Sequence, residues 1–212
     1  MVYLTLGGGA GAAELPARAA APAADLAHGE ELYRLYCVRC HRAHGAGSGE
    51  RQFPQLAGQR EDYLLEQLTR IVTLGRDAPE MHEVLDSHGL SSSESLHDLA
   101  AYLATQPRNT HGEHGDGHFL GRGRQVYLDR CESCHGLKGE GQQAGLVPAL
   151  SGQNYTYLLA QLHGFAAGHR SKADPTVIEA VRQLSSQDMQ AVADFLSRLP
   201  ESADLNFGVA PH

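Results

Sequence analysis

The chain has 212 residues, of which 42% are apolar and 20% are charged, a balance typical of a globular protein of one large or two small domains. No stretch reaches the roughly 18 to 20 consecutive apolar residues that a membrane-spanning helix needs, so we expect no direct membrane span. The formal net charge of −8 argues against a nucleic-acid surface and favours partner proteins that offer a basic patch.

The N-terminal segment, residues 1–26, is rich in alanine, glycine and proline. It lacks the basic start and the long apolar core of a secretory signal. We interpret it as a flexible leader or the remnant of a signal, outside the fold.

The next segment, residues 27–107, has a helical pattern throughout. Apolar residues lie about one helical turn apart before Cys37, and an amphipathic stretch, residues 61–72, follows a Gly-Gln turn. A third helix, residues 93–105, opens with serine and acidic residues and ends before proline. No convincing alternating strand pattern occurs, so we predict an all-α domain.

A polar linker rich in glycine and histidine, residues 108–118, precedes a second copy of the same pattern. Cys131 lies 94 residues after Cys37, since 131 − 37 = 94, and the same offset aligns Pro148 with Pro54 and Leu184 with Leu90. A repeat of this length is a small domain rather than a solenoid unit. We therefore predict a second domain at residues 119–201, followed by a C-terminal tail at residues 202–212 that is either frayed or a docking segment.

All four cysteines lie in two copies of Cys-x-x-Cys-His, at residues 37–41 and 131–135. A disulfide within either pair would close a strained local loop, and zinc fingers place their histidines further apart. A thioredoxin-like redox site expects a strand before the motif. Cys-x-x-Cys-His is instead the attachment signature of c-type haem, in which two thiols bond to the macrocycle and the histidine binds the iron. We predict two covalently bound haem c groups, with the residues Cys37, Cys40, Cys131 and Cys134 as anchors and His41 and His135 as proximal ligands.

These motifs, the repeated Pro-x-Leu-x-Gly-Gln-x-x-x-Tyr-Leu-Leu-x-Gln-Leu from Pro54 and Pro148, and the terminal helices resemble dihaem cytochromes of the cytochrome c4 type. The resemblance implies two tandem class I cytochrome c domains related by a pseudo-twofold, and electron exchange in the periplasm. It also implies that the carbonyls of Pro54 and Pro148 orient the proximal histidines and that Tyr63 and Tyr157 flank the haems.

The two copies differ in the loop before the last helix, where a class I domain supplies a methionine to the iron. Met81 is the candidate in the first copy, with His82 as the alternative. The second loop contains no methionine, and the corresponding positions fall near Thr176 and Val177. We expect Met189 to pack in the core. His169 is one candidate ligand, and an open or water-bound iron or a less obvious ligand are the alternatives.

The function that these features favour is electron transfer rather than catalysis. We expect redox partner proteins on both sides: a dehydrogenase or quinol-oxidising complex as donor, and a terminal oxidase or reductase as acceptor. Two alternatives remain. Either the second haem has an open iron that binds or reduces oxygen, nitric oxide or peroxide, or the protein is the cytochrome subunit of a redox enzyme complex.

Overall fold

The computed structural model describes residues 23–109, 112–142, 146–170 and 174–199. Within these ranges the regular structure is helical, and extended pairing is limited to two isolated bridges, Ser48 with Phe53 and Gln142 with Val147. The prediction of an all-α fold is therefore confirmed. The predicted tail at residues 202–212 lies outside the described ranges, as does the predicted leader except for residues 23–26.

Among the described residues, five α-helices form a first half and five form a second half. The first half contains α1 (Leu26–Leu32), α2 (Val38–His41), α3 (Glu61–Val72), α4 (Pro79–Ser87) and α5 (Ser93–Thr105). The second half contains α6 (Leu120–Arg130), α7 (Glu132–His135), α8 (Tyr155–Ala167), α9 (Pro175–Arg182) and α10 (Ser186–Ser197). A π-helical turn, Tyr33–Cys37, joins α1 to α2.

Side-chain caps explain where several of these helices begin. The Asp25 carboxylate accepts hydrogen bonds from the backbone N–H groups at the start of α1, and the Ser92 hydroxyl accepts one at the start of α5. Ser185 and Asp188 form a reciprocal capping box at α10. Helix α1 therefore starts one residue before the predicted domain boundary at residue 27.

The loop expected before each terminal helix contains a short helix in the structure, α4 in the first half and α9 in the second. Each begins with a proline, Pro79 or Pro175, whose fixed φ suits the first helical position. The helices have nine and eight residues, which is too short for hydrophobic periodicity to reveal them in the sequence.

In each half the first and last helices cross at a glycine. A Cβ atom added to Gly29 would lie 2.1 Å from the Asp98 carbonyl oxygen in α5, and one added to Gly123 would lie 2.0 Å from the Ala191 carbonyl oxygen in α10. No side chain fits at either crossing. The two glycines thus allow α1 to pack on α5 and α6 to pack on α10 at backbone contact distance.

Each half has its own hydrophobic core around that crossing. The Tyr33 and Tyr102 rings pack 5.7 Å apart in the first half, and the Tyr127 and Phe195 rings pack 5.8 Å apart in the second. Fully buried aliphatic residues complete the two cores: Leu64, Ile71, Leu85, Leu96 and Leu99 in the first, and Val126, Leu158, Val192 and Leu196 in the second.

The two halves meet through a reciprocal set of buried hydrogen bonds. The Gln153 side-chain amide bonds both the N–H (2.8 Å) and the carbonyl (2.9 Å) of Gln55, and the Gln59 amide bonds both the N–H (2.9 Å) and the carbonyl (2.9 Å) of Ala149. Because Gln59 and Gln153 are equivalent in the repeat, as are Gln55 and Ala149, the contact has pseudo-twofold symmetry. The predicted relation between the two copies is therefore present.

The predicted linker, residues 108–118, is held against both halves where it is described. The Arg108 guanidinium donates to the carbonyls of Ala57 and Ser151, and the N–H groups of Gly115 and Gly117 donate to the buried Asp194 carboxylate. These bonds hold the described part of the linker against both halves.

Candidate cofactor sites

The short helices α2 and α7 place each Cys-x-x-Cys-His motif at the end of a half's first helical segment. His41 is buried, with 4% of its surface exposed, and its Nδ1 lies 3.2 Å from the Pro54 carbonyl oxygen. In the second half the Nδ1 of His135 lies 3.0 Å from the Pro148 carbonyl oxygen. Since a carbonyl can only accept, each Nδ1 carries the hydrogen, and each Nε2 keeps a lone pair for a metal.

Burial also keeps both imidazoles in the neutral form that a metal requires. Burial lowers the pKa of His41 and of His135, and this outweighs the opposing effect of the proline carbonyls. Both histidines are thus oriented by a fixed backbone partner and are available as ligands through Nε2.

A tyrosine in each half fixes the chain just after the motif. The Tyr33 hydroxyl donates to the Arg42 carbonyl at 2.6 Å, and the Tyr127 hydroxyl donates to the Gly136 carbonyl at 2.5 Å. The bonded residues have positive φ angles of 64° and 81°, so the chain reverses sharply behind each histidine. The two tyrosines are separated by the repeat offset of 94 residues, but only the structure shows this role.

The cysteines do not have the environment of redox or zinc thiolates. None of the four is in a disulfide, and burial raises the pKa of the Cys37 thiol to about 12 and that of Cys131 to about 11. A reactive cysteine would show the opposite shift. The described residues also hold no group of three or more histidine, cysteine or acidic side chains around a possible metal position. The motif therefore favours covalent attachment of a cofactor over either alternative.

In the first half, Met81 is the third residue of α4 and is half-buried against the core cluster of that half. The neighbouring His82 uses its Nδ1 in a contact of 3.1 Å with the Ile71 carbonyl, back on α3. Both candidate side chains are half-buried, and Met81 is the one that packs against the core cluster of its half.

The candidates in the second half are dispersed. His169 is exposed and lines a cavity of about 310 Å³ together with His82 and residues 74–79 of the first half. Met189 is buried with 5% of its surface exposed, and it is the fourth residue of α10, as Leu96 is of α5. This burial agrees with the core role expected for Met189.

A cluster of arginine and tyrosine side chains lies across the contact between the halves. The Arg76 guanidinium donates to the Tyr157 hydroxyl at 2.9 Å and to the Gln67 amide oxygen at 3.0 Å. Arg170, its repeat equivalent, hydrogen-bonds Tyr63 and the Gln161 amide oxygen. Burial and the nearby Arg76 charge lower the pKa of Arg170. These hydrogen-bond partners are neutral, so the contact concentrates positive charge in a half-buried place.

Comparison with known proteins agrees with this geometry. Residues 120–200 match the family model described as Cytochrome c, and residues 24–103 match the one described as Cytochrome C oxidase, cbb3-type, subunit III. The cytochrome c4 of Azotobacter vinelandii is 32% identical over 182 residues, which span 77% of this chain and 84% of that protein. The chain belongs to the cytochrome c4 family.

Two further relatives extend this result. The crystal structure of reduced recombinant cytochrome c4 from Pseudomonas stutzeri superposes with a TM-score of 0.73 at 29% identity, covering 84% of this chain and all of that one. A protein named thiosulfate dehydrogenase electron acceptor, from Stutzerimonas stutzeri strain A1501, is 30% identical over 83% of this chain and 88% of its own length. The predicted pair of tandem cytochrome c domains is thereby confirmed.

As a member of the cytochrome c4 family, the protein is a dihaem electron-transfer cytochrome with two covalently bound haem c groups. The residues fit this cofactor. In each half two cysteines outside any disulfide precede a neutral histidine with a free Nε2, and the two half-buried arginines have no carboxylate among the hydrogen-bond partners named above. In the part of this chain that the structure describes, no helix is long and apolar enough to cross a membrane.

Proposed function

We propose that the protein carries electrons in the periplasm between a donor dehydrogenase or quinol-oxidising complex and an acceptor oxidase or reductase. Haem supplies the one-electron chemistry, and the protein supplies ligands, spacing and electrostatics. Covalent attachment through Cys-x-x-Cys-His, which takes place outside the cytoplasm, supports the periplasmic location.

Each half holds its haem with the same set of residues. Cys37 and Cys40 anchor the first haem and Cys131 and Cys134 the second. His41 and His135 bind the irons through Nε2, oriented by the Pro54 and Pro148 carbonyls. Met81 completes the first site, where a thioether raises the reduction potential.

The arginine and tyrosine cluster is the place for the haem carboxylates. A haem bears two propionates, and a buried guanidinium is the side chain best suited to bind a carboxylate. Arg76 and Arg170 are half-buried at the contact, and the hydrogen-bond partners named above are neutral, so propionates from the two haems would neutralise them. Tyr63 and Tyr157 extend each arginine's contacts into the opposite half.

The observation that carries the proposal is the reciprocal glutamine contact. Gln55 and Ala149, which exchange hydrogen bonds with the opposite half, directly follow Pro54 and Pro148, which hold the proximal histidines. The two iron sites are therefore joined by a short path of backbone and buried hydrogen bonds. A fixed spacing of this kind suits passage of an electron from one haem to the other.

The relative named as an electron acceptor of thiosulfate dehydrogenase suggests one donor to test. Oxidised holoprotein is mixed without oxygen with thiosulfate dehydrogenase and thiosulfate, and haem absorption is followed by stopped flow. We expect two electrons to enter each chain, and no reduction when the dehydrogenase is omitted. A second experiment replaces the dehydrogenase and thiosulfate by a quinol-oxidising complex and its quinol, and follows the same haem absorption.

Reduction by either enzyme supports the proposal, and reduction by neither contradicts it. Retention of the dehydrogenase through purification of the native protein would indicate a permanent subunit of a redox complex instead. A soluble carrier separates from its donor at moderate salt, because an encounter driven by charge weakens as ionic strength rises.

A further inference from the structure

The second half lacks the distal side chain that the first half provides, and the helix register shows which residue replaces it. Arg76 and Arg170 occupy equivalent turns. The N–H of Gly75 donates to the Arg70 carbonyl, and the N–H of His169 donates to the carbonyl of Gly164, the repeat equivalent of Arg70. Two residues separate Arg76 from Pro79, whereas four separate Arg170 from Pro175. The offset between the halves therefore changes from 94 to 96 at this point.

The new offset is maintained through α4 and α9. Both helices have proline as their first residue, and the seventh residue of each, Leu85 or Val181, is buried. The carbonyls of these two residues also accept a hydrogen bond from the N–H of a following leucine, Leu90 in the first half and Leu184 in the second. Met81 is the third residue of α4, and the third residue of α9 is Val177.

Val177 has no atom that can bind iron, and the other candidates among the described residues of this half lie elsewhere. His169 is exposed at the cavity next to the loop at residues 74–79, and His163 is exposed on α8. Met189 is buried in α10, where it replaces a core leucine. Val177 is half-buried, as is the next residue Ile178, so α9 offers an aliphatic side chain at the position that Met81 takes in α4.

We infer that Val177 leaves the iron of the second haem without a distal ligand from the described residues of this half, and that this iron binds a neutral diatomic molecule such as nitric oxide, carbon monoxide or oxygen. An aliphatic wall accepts an uncharged ligand at little desolvation cost and disfavours an anion. The first haem, closed by Met81, does not bind such molecules. The inference rests on the proposed role of His135 as the proximal ligand.

The probe is carbon monoxide, titrated into the reduced holoprotein while optical spectra are recorded. Electron paramagnetic resonance of the oxidised protein gives the spin state of each iron. Three variants accompany the wild type. Val177→Met restores a thioether at the third position of α9, Met81→Val removes it from α4, and Thr176→Met adds the same side chain at the exposed neighbouring position.

We expect the wild type to bind one carbon monoxide per two haems and to show one high-spin and one low-spin signal. Val177→Met binds none, Met81→Val binds two, and Thr176→Met behaves like the wild type. Two low-spin signals with no carbon monoxide bound would overturn the inference, and so would binding at both haems of the wild type. A count of two haems per chain and of two electrons accepted reports on the proposed function separately, so the two failures are distinguishable.

Discussion

At the scale of single residues, the strongest signals in the sequence were those fixed by covalent chemistry. The Cys-x-x-Cys-His motif dictates its own spacing, so Cys37, Cys40 and His41 could be assigned to haem without any knowledge of the fold. The pairing of Arg76 with Tyr157 could not be found this way. It joins residues 81 positions apart in different halves, and no local pattern records such a contact.

Arg76 provides a test of how the half-buried positive charge acts on the haems. Replacing it by glutamine removes a positive charge close to the proposed propionates. Without that charge the reduced haem, which carries one more electron, is less stabilised. We expect Arg76→Gln to lower the reduction potentials in a spectroelectrochemical titration. Arg122→Gln, which breaks an exposed ion pair with Asp188, is the control and leaves them unchanged. Equal potentials in Arg76→Gln and the wild type would contradict this role.

At the scale of helices, long periodic segments were predictable and short ones were not. Helices α3 and α5 match the predicted ranges, residues 61–72 and 93–105, because apolar spacing and a serine cap mark them clearly. Helices α4 and α9 were expected to be loops. Their proline starts and eight or nine residues give too little pattern, and contacts with the neighbouring helices decide their conformation.

The contact between the halves depends on two glutamine side chains. Gln153→Leu would leave the N–H and carbonyl of Gln55 buried without these partners, which costs about 1 to 3 kcal/mol in the free energy of unfolding. Gln59→Leu, its repeat equivalent, should cost a similar amount. Gln190→Leu, at an exposed position of α10, is the matched control. Denaturant unfolding of the holoproteins measures the difference, and an equal stability of all three variants would contradict the assignment.

A histidine that ties α1 to α5 makes the stability of the first half depend on pH. The Nδ1 of His28 lies 2.8 Å from the buried Asp98 carboxylate, and this hydrogen bond raises the pKa of His28. Although burial raises the pKa of Asp98, the bonds from His28 and the Asp25 N–H hold it below its usual range. His28 therefore binds its proton more tightly in the folded state, and its contribution is complete below pH about 6.5.

That contribution is lost as the pH rises through the raised pKa of His28, and again in acid as Asp98 becomes protonated. We expect the stability difference between the wild type and His28→Gln to be largest near pH 5.5 and to decline toward pH 8.5. Urea unfolding at several pH values checks this. His163→Gln, an exposed histidine of α8, is the control. A difference that is independent of pH would show that His28 acts only through packing.

At the scale of the whole molecule, the sequence repeat predicted two domains, and the structure shows how they form one unit. Gln59 and Gln153 occur at the same position of the two copies in the sequence. Only the structure shows that each glutamine hydrogen-bonds the backbone of the opposite half. The sequence alone placed the position equivalent to Met81 near Thr176 and Val177. The structure selects Val177, because both α4 and α9 begin at a proline and Met81 and Val177 are their third residues.

The net charge of −8 makes a prediction for encounters with partners. An acidic protein that meets a basic patch is steered by long-range attraction, which salt screens over about 10 Å at 0.1 M ionic strength. We expect the bimolecular rate of reduction by the donor to fall steeply as ionic strength increases in stopped-flow experiments. A rate that is unaffected by salt would mean that charge does not guide this encounter.

The central claim is that one chain holds two redox-active haems in different environments. The measurement that tests it most directly is a spectroelectrochemical titration of the purified holoprotein with the charge passed recorded. We predict two separate one-electron steps, with the higher potential at the haem closed by Met81, because a methionine ligand raises the potential. A single one-electron step per chain, or two steps at the same potential with identical spectra, would contradict the account.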